Sequence, residues 1–260
     1  MAAILMDIDG VLQISGTPIE GAADAVKQLR DADHRLRFLT NNTTRSRADL
    51  AEELRNLGIE LEDDELQTTP RAAAYALAGK RVFAMTMEAI RGDLEGVELV
   101  GDDAEAVLLG GADESPQETS RVFNYVNLAR AFAELEAGAD LYCLHKERWW
   151  QTARGPLLDT GVFVAGLEYA AGVQAMVLGK PSPSYFGAAL DAVDADPAQT
   201  WVVGDDIDAD VAGAKVCGMN AILVRTGKFR PQTLAQAVVR PDAIVDSIAD
   251  VPRCLELAAS

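Results

Sequence analysis

Residues 4–12 read Ile-Leu-Met-Asp-Ile-Asp-Gly-Val-Leu, an apolar run cut by two aspartates one residue apart and then by a glycine. On a strand, Asp7 and Asp9 share one side, because side chains alternate with period two. Gly10 lets the backbone turn where a side chain would obstruct it, so the pair stands where the chain leaves the strand. One carboxylate at such a tip is free to attack an electrophile, and a second is close enough to handle a proton. Asp-x-Asp-Gly also occurs in solvated turns, so the pattern takes its weight from the rest of the chain.

Three other apolar runs end in polar groups. Thr40-Asn41-Asn42 follows one, Gly179-Lys180-Pro181 another, and Gly204-Asp205-Asp206, with Asp210 beyond, the third. In an open parallel sheet the carboxyl ends of the strands share one edge, where ligands bind, so these clusters can meet. Several carboxylates brought together repel one another and persist with a cation among them. Oxygen ligands with no His or Cys nearby point to Mg2+ rather than zinc. Such an ion, with Lys180, Thr40, Asn41 and the backbone amides after Gly10, makes a site for a phosphate dianion. Beside a metal-bound phosphate, an aspartate can act as nucleophile through an aspartyl-phosphate.

The elements needed to position these groups are legible as periodicity. Residues 21–30 have helical spacing, with Ala22, Ala25, Val26 and Leu29 as the inner face. Residues 35–39 read as a strand, a helix carrying Leu50 and Leu54 follows Ser46, Asp63 or Asp64 caps a short helix, and Pro70 opens another. This βαβα rhythm predicts an α/β fold with a doubly wound parallel sheet. Residues 78–175 have strands and helices of their own, including one long helix over 117–136, but no acidic strand tip. They are expected to form an inserted domain, with 1–77 and 176–260 as the core domain. Within the insertion, 146–155 is polar and aromatic with little apolar periodicity. Further on, strands are expected at 201–203 and 221–224, helices at 184–193 and 211–216, and an edge strand at 243–245.

The chain has 260 residues, 41 acidic against 23 basic, and a net charge of −18. Such a surface repels nucleic acid and anionic membranes, and neither is expected as a partner. Cys143, Cys217 and Cys254 form no zinc or disulfide pattern. Asp7 and Asp9 interrupt any signal-peptide core, and no run approaches the ~20 apolar residues of a membrane span. The expectation is a cytoplasmic protein. His34 and His145 have no ligand-spaced partners and read as structural.

The four motifs Asp7-Ile8-Asp9-Gly10, Thr40-Asn41-Asn42, Gly179-Lys180-Pro181 and Gly204-Asp205-Asp206 resemble, in order and context, those of the haloacid dehalogenase-like (HAD) phosphatases. The interval between Thr40 and Lys180 resembles the α/β cap of their type IIA branch. The stretches at 144–150, 161–170 and 177–181 are similar to one subgroup of it, so the resemblance covers nearly the whole chain. It implies a Rossmann-like HAD core with an inserted cap. It implies that Asp7 attacks phosphorus, while Asp9 protonates the leaving group and then activates water. It implies Mg2+ held by Asp7, Asp205 and the backbone carbonyl of Asp9, and phosphoryl oxygens held by Gly10, Thr40, Asn41 and Lys180. Asp206 and Asp210 remain open between the water shell of the metal and the orientation of Lys180. Arg45, Arg148, Trp149 and Arg154 are candidates for contacts to the leaving group, and a homodimer through the cap follows from the resemblance. The reaction implied is Mg2+-dependent hydrolysis of a small phosphorylated metabolite, with substrates from phosphoesters to pyrophosphate or P–N bonds. The alternative is a phosphate- or metal-sensing binding protein in which Asp7 is phosphorylated without turnover.

Overall fold

In the computed structural model, which describes residues 2–152 and 154–258, the opening apolar run forms the strand Ala3–Asp7, buried along its whole length. A strand covered on both faces is apolar up to its tip, here Asp7. Across its sheet the order is Ala243–Val245, Asn220–Val224, Thr200–Gly204, Ala3–Asp7, Arg35–Thr40, Leu66–Thr68. Ala3–Asp7 pairs in parallel with Thr200–Gly204 on one side and Arg35–Thr40 on the other, and the strands beyond Thr200–Gly204 are parallel too. The chain builds outward from the first strand in one direction, then returns to its other flank and builds outward again. This is the doubly wound order, and the switch point lies between Ala3–Asp7 and Thr200–Gly204.

Helix Ala22–Asp31 buries Ala22, Ala25, Val26 and Leu29, the face its spacing predicts. They pack in one cluster with Ile4, Met6, Ile8, Phe38, Leu50, Leu54 and Val203. Each large side chain so buried contributes roughly 1.5–3 kcal/mol.

The chain divides into two compact units, Met1–Thr40 with Ala48–Gln67 and Lys180–Ser260, and Asn41–Arg47 with Thr68–Gly179. The boundaries fall some residues outside the expected 78–175, so helix Thr69–Ala76 goes with the second unit. That unit has a parallel sheet in the order Met176–Val177, Asp140–Cys143, Ala106–Gly110, Arg81–Thr86, Glu98–Leu99. Among the described residues, no helix is long and apolar enough to cross a membrane.

Several local expectations are corrected. The helix expected over 117–136 is two, Pro116–Val122 and Tyr125–Glu136. Phe123 leaves the helical path to stack on Phe163, ring centroids 4.0 Å apart. Asn124 then takes an extended backbone and its side chain accepts from the Asn127 N–H at 3.0 Å. An N-cap requires non-helical backbone, so the helix must break there. The aperiodic 146–155 segment holds the first strand, Trp149–Thr152, of an antiparallel pair whose second strand is Gly155–Leu158. The short helix Asp63–Glu65 is capped by Glu62, in a reciprocal box with Glu65, rather than by Asp63 or Asp64. The helix expected over 211–216 is instead a π-helical turn, Ile207–Ala212, running into the short helix Gly213–Val216.

Candidate active site

Asp7 ends its strand, and the chain beyond it is wound tightly. The Ile8 carbonyl accepts from the N–H groups of Val11, Leu12 and Gln13 at 3.2, 2.8 and 3.2 Å, and the Gly10 N–H donates to Gln13 O at 2.7 Å. Ile8, Val11 and Leu12 are buried and anchor the turn. Gly10 has φ +95°, and a Cβ there would stand 1.9 Å from Asp205 Oδ2. Both the backbone angle and the close approach of Asp205 require glycine at this position.

Lys180 lies on the same unit, and its ammonium donates to Asp7 Oδ1 at 2.6 Å and to Asp210 Oδ1 at 2.7 Å, all three groups buried. Asp210 arrives through the π-helical turn, a form that recurs at functional sites. A Cβ on Gly204 would fall 2.2 Å from the Asp210 Cβ, so that glycine admits the return of the chain. Asp210 Oδ2 also accepts from the Asp206 N–H at 3.1 Å. Asp206 caps the turn, accepting from the N–H groups of Asp208 at 2.9 Å and Ala209 at 3.1 Å. Of the two aspartates left open by sequence, Asp210 is thus the one that bonds Lys180. Asp208 is exposed.

Asp9 is half-buried, and its carboxylate accepts from Gln13 Nε2 and from the Thr40 hydroxyl, both at 3.4 Å. Thr40 is fully buried and held by Tyr185, whose hydroxyl is shared between the carbonyls of Thr40 at 3.1 Å and Gln67 at 2.8 Å.

The electrostatics call for positive charge. Burial pushes the Asp7 carboxyl up to about 7, with Lys180 pulling against it and Asp210 and Asp9 adding to it. Burial also raises Asp205 well above the ordinary carboxylate range, with Asp7 and Asp210 adding to the shift. Burial opposes the charge on Lys180, but Asp210 and Asp7 outweigh it and hold that amine above its usual value. Asp7, Asp205 and Asp210 each offer a carboxylate oxygen, all within 4.8 Å of one another and all buried. An all-oxygen, buried, mutually repelling donor set fits a hard divalent cation of the Mg2+ kind.

The remaining candidates belong to the second unit. Asn41 donates to Glu147 Oε1 at 2.7 Å. Arg45, Arg148 and Arg154 are exposed, Arg154 reaching Glu114 at 3.1 Å. Trp149 sits in the hairpin opposite Leu158. A second group of metal-capable side chains, His145, Glu147 and Asp159, also gathers here. The Glu147 N–H donates to His145 Nδ1 at 3.4 Å, and His145 Nε2 lies 3.3 Å from Thr43 Oγ1 and 3.6 Å from Asp159.

Sequence reasoning passed over two residues of the first unit. Tyr185 reads as an ordinary core aromatic in an amphipathic helix, and nothing marks its hydroxyl. Lys228 does carry a signal, because Thr226-Gly227-Lys228 follows the parallel strand Asn220–Val224 and so emerges at the same sheet edge. Its N–H donates to Asp205 Oδ2 at 2.6 Å and its ammonium lies 3.4 Å from Asp206 Oδ2.

The chain is similar in sequence and in fold to known proteins. A haloacid dehalogenase-like hydrolase family model matches residues 4–100 and a HAD-hydrolase-like model residues 177–251. Human phospholysine phosphohistidine inorganic pyrophosphate phosphatase is 37% identical over 256 residues, 95% of this chain and 91% of that protein. A p-nitrophenyl phosphatase from Archaeoglobus fulgidus superposes with a TM-score of 0.87 at 30% identity, covering 97% of this chain and 98% of the other. A glycerol phosphate phosphatase from Mycobacterium tuberculosis, in complex with magnesium, gives 0.82 at 29% identity over 95% of this chain and 75% of the other. With nearly the whole chain shared at this level, the chain belongs to the haloacid dehalogenase-like hydrolase family, among its phosphatases.

Proposed function

We propose that the chain hydrolyses a small phosphorylated metabolite in a Mg2+-dependent reaction, with the phosphoryl group carried in transit on Asp7. The observation that carries this reading is the placement of Asp7: buried, at the topological switch point, 2.6 Å from Lys180 and clustered with Asp205 and Asp210. Lys180 and the Thr40 hydroxyl receive the phosphoryl oxygens; the N–H groups of Val11, Leu12 and Gln13, expected from sequence to share them, are instead engaged by the Ile8 carbonyl. An ionised Asp7 oxygen attacks phosphorus as the bond to the leaving group breaks, and Asp9 gives its proton to the departing atom. Asp9 then takes a proton from a water that attacks the same phosphorus, breaking the bond to Asp7 and releasing phosphate. Mg2+, when bound, would be held by the Asp7 and Asp205 carboxylates and the Asp9 carbonyl and would neutralise charge that gathers on the transferring group. Asp210 holds Lys180 in place.

The relatives' names span a nitrophenyl ester, glycerol phosphate, pyrophosphate and P–N compounds, and these define the panel. Phosphate release is measured with Mg2+ from p-nitrophenyl phosphate, sugar phosphates, nucleotides, pyrophosphate and phosphohistidine, with Asp7→Asn and a chelator alongside. Release that disappears in both controls is the expected result. A phosphorylated Asp7 that decays slowly without multiple turnover overturns the hydrolase reading in favour of sensing.

A further inference from the structure

We infer that Lys228 is a second cationic contact, beside Lys180, for the phosphate group of the substrate. The inference rests on the phosphohydrolase reading above and adds to it a residue outside the four motifs.

Its basis is how the turn that carries Lys228 is fastened. Thr226 Oγ1 donates to the carbonyl of Gly10. The Lys228 N–H donates to Asp205 Oδ2 at 2.6 Å, and the Arg230 guanidinium donates to the Gly227 carbonyl at 3.1 Å. Gly227 has φ +55°, and a Cβ on it would stand 1.9 Å from Asp205 Oδ2 and 2.6 Å from the Gly10 Cα. Two glycines, one on each segment, therefore leave the slot that the Asp205 carboxylate fills. The turn is locked to the Asp7–Gly10 segment and to Asp205 together, so the position of Lys228 follows that of the reacting groups.

From this base the side chain runs back over the acidic cluster. Its ammonium is 3.4 Å from Asp206 Oδ2 and the side chain is only 14% exposed. Burial works against its charge and holds it at about 8, while the charges of Asp7 and Asp9 both act to retain the proton. The amine is thus buried within the field of the groups proposed as nucleophile and proton donor.

Charge balance gives that position a purpose. Asp7, Asp9, Asp205, Asp206 and Asp210 are five carboxylates, against the two ammonium groups of Lys180 and Lys228. With Asp9 holding the proton it donates and the others ionised, the net is two negative charges, which a divalent ion offsets. A phosphate dianion must approach this, and without Lys228 it would face one negative charge. Lys180 is drawn tightly to two carboxylates at 2.6 and 2.7 Å. The longer contact from Lys228 to Asp206 is the one that a phosphoryl oxygen can join or displace.

A residue that merely neutralises Asp206 would serve stability and leave phosphate affinity alone. The test is calorimetric binding of inorganic phosphate in the presence of Mg2+ to wild type, Lys228→Met, Lys228→Gln and Lys228→Arg, with steady-state kinetics on p-nitrophenyl phosphate. Loss of one charge-assisted contact should weaken phosphate binding and raise KM by at least about tenfold in Lys228→Met and Lys228→Gln. Contact made equally in ground and transition states leaves kcat within about threefold, and Lys228→Arg should recover most of the loss. Lys228→Gln keeps a hydrogen-bond donor for Asp206, so it reads the charge even if Lys228→Met fails to fold. Phosphate affinity and KM unchanged in folded Lys228→Gln would overturn the inference while leaving the hydrolase reading intact. Lys228-dependent phosphate binding in a protein without turnover would do the reverse. A wild type that binds no phosphate would also overturn it.

Discussion

Asp7 must be buried to exclude water and ionised to attack, and burial, only partly offset by Lys180, pushes its carboxyl up to about 7. The folded value lies above the ordinary 3.8, so between the two the native state binds more protons than the unfolded chain. The favourable contribution of Asp7 to metal-free stability is therefore complete in acid and lost as pH rises through about 7. Asp7→Asn stays neutral throughout. In chelator at pH ~8 it should be more stable than wild type by about 2–4 kcal/mol, the difference closing toward pH ~4. Urea titrations across that range check this, and a difference flat with pH would show that Asp7 is ionised without metal. Gly10 carries the complementary constraint. Gly10→Ala places a side chain at φ +95° and drives it into Asp205. It should cost ~1–3 kcal/mol in strain and abolish Mg2+-dependent activity, as denaturation and phosphate-release assays would record.

At the scale of elements, the strand tips were the legible part, because an apolar run ending in Asp, Lys or Thr marks both a buried strand and its functional end. The parallel sheet then determines that residues as distant as Asp7, Thr40 and Asp205 share an edge, whereas Lys180 follows Met176–Val177 of the second unit's sheet and is delivered just ahead of helix Pro183–Ala192. The choice between Asp206 and Asp210 was not legible. It depends on the π-helical turn Ile207–Ala212, which tertiary packing against Gly204 decides and no local propensity announces. The hairpin Trp149–Leu158 was hidden because its strands are four residues each, too short for a period to register. Lys228 was missed for a different reason: the rule that found the other tips was not carried to the strand Asn220–Val224. The break at Phe123-Asn124 gives a prediction at this scale. Asn124→Ala removes the cap of helix Tyr125–Glu136 and should cost ~1 kcal/mol, visible as a lower melting temperature. An unchanged melting temperature would mean the helix ends there for packing reasons alone.

Over the whole molecule, a net charge of −18 works against an anionic substrate, so binding depends on positive charge concentrated locally. The fold supplies Lys180 and Lys228 at the switch point and a set of carboxylates suited to a divalent ion. An ion bound only by the native state must stabilise it. Mg2+ at about a hundred times its dissociation constant should add ~2.7 kcal/mol in wild type and far less in Asp205→Asn, as thermal unfolding with and without chelator would show. Whether Asp7 carries the phosphoryl group is read by rapid acid quench during turnover followed by peptide mass analysis. The expected result is the mass of one phosphoryl group on the peptide containing Asp7, dependent on Mg2+ and absent from Asp7→Asn. Brisk turnover with that peptide unmodified at every quench time, or turnover surviving in Asp7→Asn, would contradict it.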